Sequence, residues 1–197
     1  MFGMRWRRKA LRSAWLVLGV VCLVPLFGVG PAQSQEITTS LQTIAPHRHR
    51  LEGHFRVTAS RQTVWDVLTD YDHIPQFVPS MRQSKVVEHR PHGALVQQEA
   101  LARLWIFYRT VDISLEVIEQ PMSRISFEDI WHRDFYLYKG DWEIRGSGQD
   151  LEVVYRLELK RRFAAPNFIV RRALEKNSTA LLTEVRAEIL RRANAPR

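Results

Sequence analysis

The stretch Leu151-Glu152-Val153-Val154-Tyr155-Arg156-Leu157-Glu158-Leu159-Lys160 alternates as a strand with one buried face does. Leu151, Val153, Tyr155, Leu157 and Leu159 fall on one side, and Glu152, Arg156, Glu158 and Lys160 on the other. Beyond it, over residues 167–192, the period lengthens to that of a helix. Val170, Leu174, Leu181, Val185 and Ile189 form one stripe, with Arg171, Arg172, Lys176, Arg186 and Arg191 mostly off it. A half-buried strand followed by a long amphipathic helix predicts a helix that covers a sheet. Upstream, the same alternation recurs over 83–88, 95–104, 107–118, 124–131 and 135–144. Turn signals separate these segments at Pro91-His92-Gly93, Gln120-Pro121, Arg133-Asp134 and Gly146-Ser147-Gly148. An opening strand over 51–59 is followed by Ser60, a helix cap, and by a helix through Val64, Trp65, Val67 and Leu68. Asp72 can cap a second short helix that Pro79 ends, and Asp70 and Asp72 are read as caps rather than as acid/base groups. The expected fold is α+β: a curved antiparallel sheet of about seven strands, two short helices after the first strand, wrapped around the long C-terminal helix.

Composition narrows the function. The chain of 197 residues carries a formal charge of +8, but Arg5, Arg7, Arg8, Lys9 and Arg12 all precede the first acidic residue, Glu36. Without those five, 24 basic residues face 21 acidic ones, which leaves no broad electrostatic footprint for nucleic acid. Basic residues, an uncharged run over 14–29 and the small-residue stretch Ala32-Gln33-Ser34 read as an export signal or an uncleaved membrane anchor. The expected organisation is a leader over 1–34, a polar linker over 35–50, one domain over 51–192 and a tail over 193–197. The expected location is extracytoplasmic, or tethered by residues 14–29. The lone cysteine, Cys22, lies in that run, so the domain has no disulfide, thiolate nucleophile or thiolate metal site.

The order of elements, with Val64-Trp65-Asp66-Val67-Leu68-Thr69-Asp70-Tyr71, Pro75-Gln76-Phe77-Val78-Pro79, Ile125-Ser126-Phe127 and Gly140-Asp141-Trp142, resembles the START-like polyketide cyclase/dehydrase superfamily. This is the helix-grip (SRPBCC) fold, and the likeness is to its coenzyme-Q-binding branch. The resemblance covers residues 51–192 and implies a cavity between the sheet and the long helix. One departure stands out: the family usually has Gly-Asp-Phe where this chain has Arg133-Asp134-Phe135, which predicts a bulge or altered turn.

Candidate site residues follow from the strand faces. Alternation places Phe107, Arg109 and Val111 on the concave face, where Arg109 needs either a polar ligand group or an ion pair with Glu99 or Asp129. Tyr136, Tyr138, Trp142 and Tyr155 form an aromatic set with polar handles, and Leu174 and Leu181 face them from the helix. His47, His49 and His54 lack the carboxylate or third rigid ligand that a metal site needs, and no cofactor is expected. No catalytic triad, phosphate loop or zinc spacing is readable, so the chain is read first as a non-catalytic carrier of an apolar small molecule such as a lipid or isoprenoid quinone. That carrier is expected near a membrane and, by default, as a monomer. The alternative is a cyclase or aromatase acting on a polyketide-type substrate, and the third reading is a protein-interaction module.

Overall fold

The computed structural model describes residues 37–104 and 107–195, with the side chains of Leu104 and Phe107 outside that description. The strands are β1 (Thr38–Ala45), β2 (Arg48–Thr58), β3 (Met81–Arg90), β4 (Gly93–Leu104), β5 (Phe107–Gln120), β6 (Arg124–Asp129), β7 (Phe135–Ser147) and β8 (Asp150–Arg161). They form one antiparallel sheet in the order β1-β2-β8-β7-β6-β5-β4-β3. Between β2 and β3 lie α1 (Arg61–Leu68), a 3-10 turn (Tyr71–His73) and the single turn α2 (Ile74–Phe77), and α3 (Asn167–Ala193) follows β8. The sheet, the early short helices and the long C-terminal helix are as expected.

The sheet corrects the expectation of about seven curved strands: among the described residues it has eight and is open, with β1 and β3 as its edges. The extra strand falls in the stretch read as a linker, where β1 pairs with β2 through Leu41 opposite Leu51 and Gln42 opposite Arg50. β1 is mostly exposed, and its inward side offers a single apolar residue, Leu41, between Thr39 and Thr43, too little for the alternation to be read from the sequence.

α3 lies against β1, β2, β4 and α1. Its close approach to β2 needs Gly53, since a Cβ there would sit 2.4 Å from Leu182 Cδ1. Leu182 is fully buried, whereas the expected stripe residues Leu174 and Leu181 are partly buried on its flanks. Ser60 caps α1 as expected, accepting from Thr63 N at 3.0 Å. The capping of α2 by Asp72 is corrected: Asp72 Oδ1 accepts from Val86 N in β3 at 2.8 Å, and His73 is the residue before α2. Asp70 binds Arg192 Nη2 and His73 Nδ1, at 2.7 and 2.6 Å.

The outer sheet face is a lattice of charge. Arg156 donates to Asp141 at 2.8 Å and to Glu143 at 2.7 Å, and Glu158 accepts from Arg48 and Arg50.

The expected location is also corrected. Among the described residues no helix is long and apolar enough to cross a membrane. The run over 14–29, on which export and tethering were expected, lies outside the described residues.

Candidate functional site

Three elements enclose a cavity: the inner sheet face, the segment from α1 through α2, and the middle of α3. Val117, Ile125 and Phe127 come from β5 and β6, Tyr138, Trp142 and Tyr155 from β7 and β8, Tyr71, Ile74 and Phe77 from the early helices, and Leu181 and Val185 from α3. The enclosed volume is about 120 Å³, space for about one aromatic ring.

An aromatic wall forms its floor. Trp142 and Tyr155, directly opposite in the β7–β8 register, have ring centroids 4.4 Å apart. Phe127 lies 6.2 Å from Tyr155 and 6.0 Å from Tyr138. Gly140 makes this possible, because a Cβ there would lie 2.7 Å from Phe127 Cζ and 2.0 Å from the Arg156 carbonyl oxygen. The Gly140-Asp141-Trp142 step thus has a packing reason.

Few polar groups enter. Tyr71 donates its hydroxyl to Glu119 Oε1 at 2.7 Å, which leaves its oxygen able to accept. Burial, followed by that carboxylate, pushes the Tyr71 phenol far above its ordinary range. Burial also pushes the phenols of Tyr138 and Tyr155 up, Tyr155 well above the tyrosine norm. All three are therefore neutral hydrogen-bonding groups at physiological pH and not resting bases. Gln98, whose amide donates to Ser84 Oγ at 3.1 Å, completes the polar lining.

Of the residues singled out from the sequence, Tyr138, Trp142, Tyr155 and Leu181 meet at this cavity. Phe107 as a cavity residue lies outside the described side chains. Val111 is buried in the core and Leu174 partly buried, both away from the lining. Tyr136 is corrected to the outer surface, 56% exposed, with Arg162 4.8 Å from its ring centroid. The reason is a register shift: Phe135 pairs with Arg161 but Leu137 with Lys160, so Tyr136 is the extra residue of a bulge and the alternation that faces Tyr138 inward does not carry through it. Arg109 is corrected as well. It pairs with Asp134, not Glu99 or Asp129, and lies over the Phe163 ring at 4.6 Å from its centroid, away from the cavity. Asp129 instead accepts from the backbone N–H groups of Ser114, Trp131 and His132. Tyr71, Gln98, Glu119 and Phe127 were not singled out as site residues. Phe127 was within reach, since Ile125 and Phe127 alternate with Ser126 in a quoted motif. Glu119 was not, because nothing local shows that a glutamate at a strand end meets a tyrosine 48 residues away.

Similar folds occur in solved structures. The Zhui aromatase/cyclase from Streptomyces shares 18% identity over 76% of this chain and 98% of its own, with a TM-score of 0.65. The STAR-related lipid transfer protein from Xanthomonas axonopodis shares 14% over 77% of this chain and 98% of its own, with a TM-score of 0.60. The di-domain ARO/CYC StfQ from the steffimycin pathway shares 14% over 74% of this chain and 52% of its own, with a TM-score of 0.61. At such identities the likeness establishes the fold. No curated protein matches the sequence. The family model that matches is described as polyketide cyclase / dehydrase and lipid transport, and nothing in these matches separates out a coenzyme-Q-binding branch. The expectation of a non-enzyme is corrected by the same finding. It rested on the lack of a readable catalytic constellation, and the family description, which sets cyclase and dehydrase beside lipid transport, goes against it. With the match running over residues 57–186, the chain belongs to the polyketide cyclase / dehydrase and lipid transport family.

Proposed function

We propose that this protein is a cyclase- or aromatase-like enzyme that folds a polyketide-type chain in the cavity between sheet and α3. The observation that carries this reading is the placement of three neutral phenols, Tyr71, Tyr138 and Tyr155, in a lining that is otherwise apolar except for Gln98. Ring closure of a poly-ketone is an isomerisation. The carbon–carbon bond forms as the enol proton passes to the carbonyl oxygen, and loss of water then gives the aromatic ring. Such a reaction gains most from holding one folded conformer and from hydrogen bonds to the oxygens where charge develops. Tyr155 donates its proton to Tyr138, so Tyr138 is the phenol that suits the carbonyl side, and the Tyr71 oxygen, its proton held by Glu119, suits an enol hydroxyl. Carriage of an apolar molecule is the second reading, favoured by the apolar walls and the lipid-transport half of the family description.

The test is turnover of a linear aryl poly-ketone, with products resolved by chromatography and mass spectrometry. Wild type should bias the ring closed and exceed the buffer rate, and Tyr138→Phe should lower kcat by roughly tenfold or more, the order of one lost transition-state donor. Buffer-like rates and product ratios, with intact lipid co-purifying, would favour carriage.

A further inference from the structure

Away from the phenols, at the β8–α3 corner, a second polar cluster has no part in the reading above. We infer that the inner sheet face beneath the first turn of α3 binds a compact oxyanion, a carboxylate or a small inorganic one, through Arg161 and His49.

The register brings the two together. His49 on β2 pairs with Leu159 on β8, and Arg161 lies two residues further on, so both side chains point inward as diagonal neighbours. Both are almost wholly buried, His49 1% and Arg161 3% exposed. Arg161 gives Nη1 to the Phe163 carbonyl and Nη2 to Asn167 Oδ1, each at 2.7 Å, which holds the guanidinium at the residue that opens α3. Its Nε has no hydrogen-bond partner, and neither has His49 Nε2, while His49 Nδ1 faces Thr43 Oγ1 at 3.2 Å. Among the described residues no carboxylate lies within 4.0 Å of Arg161.

A buried cation without a counter-charge is costly, and buried N–H groups are rarely left unmatched. The neighbours add to the positive field rather than neutralise it. The groups facing His49 are Arg161 from β8, Arg171 from α3 and His47 from the β1–β2 turn, with Thr43 from β1. α3 starts after Pro166, which offers no side-chain cap, and its first turn contains no acidic residue, so the positive end of a 27-residue helix is open here. Burial, then the Arg161 and Arg171 charges, hold the His49 imidazole below its ordinary value. An oxyanion between Arg161 Nε–H and His49 Nε2 would match both groups, and His49 would take up a proton as it bound.

The anion has two possible sources: free in solution, or the acidic end of a cavity ligand. Tyr138 shares the Leu159 row, and Phe135, opposite Arg161, lies 5.0 Å from the Tyr138 ring, so the site adjoins the cavity.

The full chain is titrated with sodium acetate, sodium phosphate and 2-naphthoate against sodium chloride at matched ionic strength, following Tm, at about pH 8 and about pH 6. Acetate or phosphate should give a saturable rise in Tm that chloride does not. The half-saturating concentration should fall by roughly threefold or more between the two pH values, because binding is linked to proton uptake. Arg161→Met should raise that concentration by about tenfold or more, the loss of a charge-assisted bond. His49→Gln should still bind at about pH 8 but lose the pH dependence, and it decides the matter if Arg161→Met does not fold. Tighter binding of naphthoate than acetate assigns the anion to a cavity ligand, and equal binding assigns it to solution. No response beyond chloride at either pH, or an unchanged pH dependence in His49→Gln, overturns the site and leaves a bridging water as the match for both nitrogens.

Discussion

Gly140 illustrates how one absent side chain shapes the cavity floor. Gly140→Ala would drive a methyl against the Arg156 carbonyl and the Phe127 ring, and backbone cannot yield as a flexible side chain does. The expected cost is about 1–3 kcal/mol, the range for overpacking, read as a lower midpoint in urea with unchanged slope. The neighbouring strand gives a paired test of faces. Leu157→Asp should cost about 3 kcal/mol or more, since Leu157 is 5% exposed and the carboxylate would be buried unpaired. Glu158→Ala, from the sequence a neutral surface change, should cost about 1 kcal/mol because Glu158 accepts from both Arg48 and Arg50. Equal thermal midpoints for the two variants would sink this assignment of faces.

At the scale of elements, the segment carrying Tyr71, Ile74 and Phe77 is the cavity wall made of single turns rather than of the sheet or α3. A cavity of about 120 Å³ is smaller than the roughly 300 Å³ at which ligand pockets begin, so admitting a larger ligand would take an outward movement, for which this wall is the candidate. Its fastening to α3 is polar. Arg192 bonds Asp70 at 2.7 Å and Glu188 at 2.6 Å, and its guanidinium carbon is 5.8 Å from the Phe77 ring centroid. Bonds from Arg191 and then Arg192 hold the Glu188 carboxyl down to about 2, and those from His73 and Arg192 outweigh burial to lower Asp70. Carboxyls depressed in the folded state contribute stability that is fully present above their unfolded values and lost as pH falls through the folded ones. For Glu188 that window runs from about 4.5 down to about 2. Arg192→Met should therefore shallow the acid limb of a stability–pH curve over that window. It should also speed both uptake and release of a neutral naphthylamine probe in stopped-flow fluorescence. Unchanged exchange rates would assign the opening to another wall.

The whole molecule depends on the edge strand that composition concealed. Because β1 pairs along β2 from Thr38 to Ala45, a chain starting at Ser34 should melt with the full-length protein. A chain starting at Leu51 loses β1 and the first residues of β2, including His49, and bares the edge of β2. It should melt several degrees lower, since about 1 kcal/mol moves Tm by roughly 2–4 °C at this size. Matching midpoints for the two truncations would show that the pairing adds nothing to stability.

The sequence by itself determined every described strand and α-helix but β1, and the buried faces of β8 and α3. The alternation of Leu151 to Leu159 and the helical period after Asn167 are local consequences of burying one side of each element, and they suffice for a sheet covered by a helix. The motifs around Trp65, Phe127 and Trp142 added the family. Tertiary structure decided whatever depends on register between distant strands and on contacts across long separations. The bulge at Tyr136 turned that side chain outward while leaving Tyr138 inside, and alternation cannot show such a slip. Arg109 found Asp134 rather than Asp129 because the loop after β6 committed Asp129 to backbone N–H groups. Tyr71 met Glu119, and His49 met Arg161, across 48 and 112 residues of chain. Such pairs have no local signature, because it is the closing of the sheet over the helix that sets which buried polar groups meet.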